Sequence, residues 1–100
     1  MQKENPSSWR YFLTYSGVKL PLKLTSELQE SETENRNTYF RAAYDERGQM
    51  VLCQKLVYGE LEMEHRYRYY SSGALEEAEI TMDGEKSRQI RFADSGELLD

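Results

Sequence analysis

Every one of the six glycines in this chain stands where a turn is expected, and none interrupts an apolar or alternating run. Their settings are Tyr15-Ser16-Gly17, Asp45-Glu46-Arg47-Gly48, Tyr58-Gly59-Glu60, Ser71-Ser72-Gly73, Asp83-Gly84-Glu85 and Asp94-Ser95-Gly96. Glycine reaches positive φ without a steric penalty, and an Asp or Ser just before it can bond its own backbone, so these are hairpin corners. From Gly48 onward they recur after 11, 14, 11 and 12 residues. Each interval holds one strand and one turn and leaves no room for a crossover helix. The spacing predicts an all-β fold, an antiparallel up-and-down meander of about 7 to 8 strands in a curled sheet or partial barrel.

The segments between the glycines fit that reading. Residues 1–8 read as a flexible polar arm, and residues 9–100 as a single domain. Arg10–Tyr15 and Val18–Leu24 flank Ser16-Gly17 as a first hairpin, and Pro21, which cannot donate a ladder hydrogen bond, demotes the second strand to an edge or a broken strand. Residues 25–37 hold four glutamates and one apolar side chain, Leu28, and read as a mobile acidic connection; Ser26 and Gln29 could cap a helical turn within it. The strands Thr38–Tyr44, Gln49–Tyr58, Glu60–Tyr70, Ala74–Met82 and Glu85–Ala93 follow, with a stub at Glu97–Asp100. Within Glu60–Tyr70, Leu61, Met63, His65, Tyr67 and Tyr69 alternate with Glu62, Glu64, Arg66, Arg68 and Tyr70, so the first set faces a core and the second faces water. In Gln49–Tyr58 the set Met50, Leu52, Leu56 is matched by Val51, Cys53, Val57 on the opposite side. Both faces of that strand need cover, from the N-terminal hairpin folded across a curled sheet or from a second copy of the chain.

The turns also carry an internal repeat. Thr38–Met50 aligns with Glu64–Leu75 and, less closely, with Arg88–Leu98, each segment running from aromatic through polar turn residues to Gly and then an apolar residue. Tyr44-Asp45-Glu46-Arg47-Gly48-Gln49-Met50, echoed by Tyr70-Ser71-Ser72-Gly73-Ala74-Leu75, resembles the hairpin repeats called YD repeats and MORN-type repeats of bacterial toxins and small antitoxin-like proteins. The resemblance covers residues 38–100, and the chain lacks the repeated Trp and the Gly-x-Gly of the MORN pattern. It implies a structural scaffold used for interaction; it transfers no catalytic residue and no phospholipid binding.

Composition narrows the chemistry. A net charge of −5 and a pI near 5.0 argue against binding to phosphate backbones or anionic membranes and suit a basic protein partner. No apolar run approaches the roughly 18 residues of a membrane span, and residues 1–8 lack the apolar stretch of a secretory signal, so a cytoplasmic setting is expected. Cys53 is the one cysteine and His65 the one histidine, which rules out an intrachain disulfide, a thiolate cage and a multi-His metal site within one chain. His65 reads as a hydrogen-bonded core histidine and Cys53 as a small buried hydrophobe, with a Cys53–His65 pair as the remaining nucleophilic arrangement. No calcium loop, phosphate-binding loop or nucleophile elbow is present, so neither cofactor nor catalysis is expected. The leading reading is a non-catalytic protein-interaction module (antitoxin, inhibitor, assembly or accessory protein) that binds through Arg41, Arg66, Arg68, Tyr70, Glu62 and Glu64 and is compatible with homodimerisation. The alternative is a small-ligand carrier with Met63, His65, Tyr67 and Tyr69 lining a pocket inside the curled sheet.

Overall fold

A computed structural model describes residues 9–17 and 19–99. The polar arm expected at 1–8 lies outside these residues, as do Val18 and Asp100. The strands are β1 (Arg10–Ser16), β2 (Lys23–Leu28), β3 (Thr38–Tyr44), β4 (Met50–Val57), β5 (Glu60–Tyr69), β6 (Leu75–Met82), β7 (Arg88–Phe92) and β8 (Leu98–Leu99). They form one antiparallel sheet in the order β2-β1-β3-β4-β5-β6-β7-β8. β2 and β8 are its two edges, so the sheet is not closed into a barrel. A flat sheet would be one residue layer thick. Here the shortest extent of the Cα envelope is 30 Å, because twist accumulates over eight strands and coils the sheet.

The glycine corners of the meander take the form their sequence asks for. Asp45 N–H donates to Gln49 O (2.9 Å) and Gly48 N–H to Asp45 O (3.0 Å); Tyr70 with Ala74 and Gly73, and Ala93 with Glu97 and Gly96, repeat the same two bonds. These three turns share one end of the sheet and lean on one another. Arg47 and Gln49 donate to the carbonyls of Ser71 and Gly73, and the Ser72 hydroxyl bonds Asp94 at 2.5 Å. The turn Tyr58-Gly59 has φ of 54° and 81°, the pair of positive values that a two-residue hairpin matched to strand twist requires.

The N-terminal third departs from the expectation. β2 begins at Lys23, not at residue 18, and runs through Leu28, so residues 25–28 of the expected acidic loop are strand. Pro21 lies before the strand, where its missing N–H interrupts no ladder, and Leu20, Leu22 and Leu24 pack against the core. Glu30–Asn35 form a short 3-10 helix, capped by Gln29 and Glu32 reciprocally rather than by Ser26 and Gln29; Ser26 sits within β2 at φ 63°. That helix connects edge strand β2 to β3 past the intervening β1.

The core fills the inner face of the sheet with Phe12, Phe40, Ala42, Met50, Cys53, Tyr67 and Ala78, and the segment around Leu20–Leu24 folds across it. Of the two sources of cover anticipated for β4, the chain itself supplies the one on this face. Met50 belongs here with Cys53 and not with Leu52, because the β3–β4 register slips by one between Ala43 and Tyr44. On the outer face Leu52 lies between Ala43 and Arg66 in the ladder, and Leu56 between Tyr39 and Leu61; both leucines are buried.

Candidate functional site

Two surfaces come from the strand alternation of β5, and they differ in chemistry. On the outer face the side chains expected to meet a partner are engaged with neighbouring groups of the chain itself. Arg41 Nε donates to Gln54 Oε1 (2.8 Å), Gln54 Nε2 to Glu64 Oε1 (3.0 Å), and Arg66 Nε to Glu64 Oε2 (2.5 Å), a chain across three strands. The Arg41 guanidinium stacks 4.2 Å from the Trp9 ring centroid. Arg68 pairs with Glu76 and Glu77, and Glu62 with Lys55 at 3.0 Å. Tyr70, expected on the wet face, is half-buried and donates its hydroxyl to Phe92 O (2.8 Å), because it follows β5 at the start of a repeat turn and reaches across to β7. Gln54 is buried at the centre of this network, and nothing in the run Val51–Val57 of the sequence marks it for that place.

The inner face holds the four residues of the anticipated pocket, but they do not line one cavity. His65 and Tyr67 are buried within packed core. Tyr67 Oη accepts the Leu22 N–H (3.1 Å) and lies 2.6 Å from His65 Nδ1. The Tyr67 hydroxyl thus joins the backbone of Leu22 to the imidazole of His65. Burial lowers the His65 pKa and so favours the neutral ring. Met63 borders a separate shallow depression near Asp83 and Gly84. Tyr69, whose hydroxyl donates to Met50 O (2.6 Å), alone opens onto the apolar recess described below.

Cys53 stands directly across from His65 in the β4–β5 register. The imidazole's Nδ1 faces the Tyr67 hydroxyl, and full burial pushes the Cys53 thiol up to about 12, which disfavours the thiolate. Among the described residues no group of three or more His, Cys, Asp or Glu side chains is placed to hold a metal ion.

What the alternation alone did not reveal is a recess of about 620 Å³ at the seam of the coiled sheet. Leu20 and Pro21 form one wall, and Tyr69, Leu75, Ile90, Phe92 and Leu98 form the other. Leu98 is 62% exposed at its rim. The signal in the sequence is the apolar pair Leu98-Leu99 after the last glycine, of which Leu98 lines the recess.

A family profile matches residues 4–100 of this sequence. The chain belongs to the DUF6156 family, a family of unknown function. No curated protein and no solved structure matches it. In this DUF6156 chain the match spans every described strand, so both faces of the sheet and the seam belong to one family unit.

Proposed function

We propose that the protein is a non-catalytic module that binds another protein, and that it does so at the seam between the Leu20–Pro21 segment and β6–β8. The observation that supports the reading is the open apolar recess with its exposed leucine rim, in a chain whose one cysteine and one histidine are both used up in packing. Apolar surface left open at a rim of polar residues is the makeup of a recognition site. The residues first expected to meet a partner on the outer face are occupied by neighbouring side chains or backbone, Arg66 by Glu64, Arg68 by Glu76 and Glu77, Glu62 by Lys55, Arg41 by Gln54 and Tyr70 by the Phe92 carbonyl, which favours the seam as the docking surface. A cytoplasmic setting is part of the proposal, since the buried thiol of Cys53 needs no oxidising compartment.

The recess volume lies within the range of small-molecule sites, which supports the alternative of a ligand carrier. One experiment separates the two. A photo-crosslinking phenylalanine placed at Leu98 in the native host should capture a discrete protein band for the module, whereas native mass spectrometry of the purified chain should show a bound small molecule for the carrier. If neither appears, both readings fail.

A further inference from the structure

Residues 19–22, which include the recess wall at Leu20 and Pro21, lie in no strand. Among the described residues one hydrogen bond ties them to the sheet, from Leu22 N–H to Tyr67 Oη (3.1 Å), and the same oxygen lies 2.6 Å from His65 Nδ1. The strands are held by ladders; this segment is held by the half-buried Leu20 and Leu22 and by that single bond. Segments with so few hydrogen bonds are the ones that open locally. His65, at the far end of the bond line, is buried on the inner face. Cys53 stands opposite it on β4 and Ile80 on β6, and Tyr67 and Tyr69 follow it on β5. The charged side chains nearest by register on that face are Lys55, already paired with Glu62, and Arg88, across from Ile80; Lys19 and Lys23 beside the covering leucines are exposed. His65 itself makes no ion pair among the described residues.

We propose that the recess is gated by acid: protonation of His65 favours a form in which the Leu20–Leu22 segment lifts from the sheet and takes the recess wall with it, so that the site holds its partner less well. The partner rests on the binding-module reading; the lift does not. In the imidazolium both ring nitrogens are donors, so Tyr67 Oη accepts from Nδ1 as well as from Leu22, and its own hydrogen needs another acceptor. The described residues give that hydroxyl no other partner. The charge would also stand in the core without an anion, a cost that burial already expresses by lowering the His65 pKa below its ordinary 6.5. Lifting the segment lets water reach the ring and restores ordinary protonation. Each pH unit below the ordinary value therefore favours the lifted form by up to about tenfold, until the closed form is protonated as well. A segment held by so little is within reach of a shift of that size.

The test uses the full chain and dithiodipyridine, which labels thiols in acid, at a concentration low enough that the rate follows the open population. Cys53, across from His65, reports the lift. Its rate, divided by that of the urea-unfolded chain at the same pH, should rise at least about fivefold from about pH 7.5 to about pH 5 while the far-ultraviolet strand signal holds. His65→Gln should abolish the rise, and Tyr67→Phe, which cuts the Leu22 bond, should label faster than wild type already at neutral pH. A flat profile, a rise that persists in His65→Gln, or loss of the strand signal in step with labelling would overturn the gate. If His65→Gln does not fold, the ring's titration by NMR in the wild-type chain replaces it: labelling must level off at the pH of that midpoint, and a mismatch overturns the gate equally. The partner is read separately. In lysate the Leu98 crosslink should fade over the same range in wild type and persist in His65→Gln. A wild-type crosslink that persists in acid while Cys53 opens means that the segment does not govern the site, so the gate fails and the binding-module reading stands. No crosslink at neutral pH sinks that reading by itself, and the lift is still decided by labelling.

Discussion

Tyr67 shows how much one hydroxyl can organise. Its ring belongs to the core, while its oxygen joins β5 to the backbone of Leu22 and to the neutral imidazole of His65. Tyr67→Phe keeps the ring and orphans both partners, so it should cost about 1 to 3 kcal/mol in urea unfolding. Tyr67→Ala should cost about 3 kcal/mol or more through the added cavity. A silent Tyr67→Phe would show that the Leu22 N–H finds water instead and that the loop is not pinned there. At Cys53 the consequence is reactivity: a thiol held protonated by burial should resist thiol reagents in the folded chain and react fully in denaturant. Fast labelling under native conditions would contradict its burial.

At the level of the strand, β5 divides into a face that holds the fold and a face that does not. Arg66 and Arg68 lie in exposed ion pairs, so Arg66→Ala and Arg68→Ala should each change stability by less than about 1 kcal/mol, against the large loss for Tyr67→Ala on the adjacent position. A urea series over these three variants checks the register directly, because a slip of one residue would exchange the sensitive and insensitive sets. The turns supply a second contrast. Gly48 holds φ at 82°, with nothing near the position a Cβ would take, so Gly48→Ala should cost about 1 to 2 kcal/mol through backbone conformation alone. Equal stability of Gly48→Ala and wild type would mean that the turn relaxes to another form.

For the whole molecule, buried titratable groups set the pH range of stability. Desolvation lowers the pKa of His65 below its ordinary 6.5, so stability is complete above that value and falls as acid protonates the unfolded imidazole in preference to the folded one. Burial raises Cys53 from 9.0 to about 12 and Tyr69 from 10.0 to about 12, and a raised pKa works in the other direction: stability is complete below the unfolded value and falls as pH climbs toward the folded one. Urea midpoints should therefore form a plateau from about pH 7 to about pH 9, with a decline on either side. Cys53→Ala should flatten the first part of the alkaline decline, and an unchanged slope in that variant would assign the decline to other groups. Far-ultraviolet circular dichroism of the same samples should show a strand-dominated spectrum, with the short 3-10 helix as the sole helical element among the described residues.

Local chemistry explains which parts of this arrangement can be read from residues alone. A glycine after Asp or Ser at regular spacing dictates a hairpin whatever surrounds it, so the meander, the antiparallel order after Thr38 and the inner placement of His65, Tyr67 and Tyr69 follow from sequence. The single-residue slips at Ala43/Tyr44, Lys55/Leu56 and Arg68/Tyr69 do not, because alternation is blind to a bulge; one of them moved Met50 into the core and away from Leu52. The leucines around Pro21 alternate like a strand, yet coiling of the sheet offers them an apolar face to cover, and burial there outweighs a ladder that proline weakens. The pairing of Arg41, Gln54, Glu64 and Arg66, the Tyr67–Leu22 bond and the recess at the seam all join residues far apart in the chain. Their geometry exists only once the sheet has coiled far enough to bring the Leu20–Pro21 segment against β6–β8, a long-range closure that no local pattern encodes.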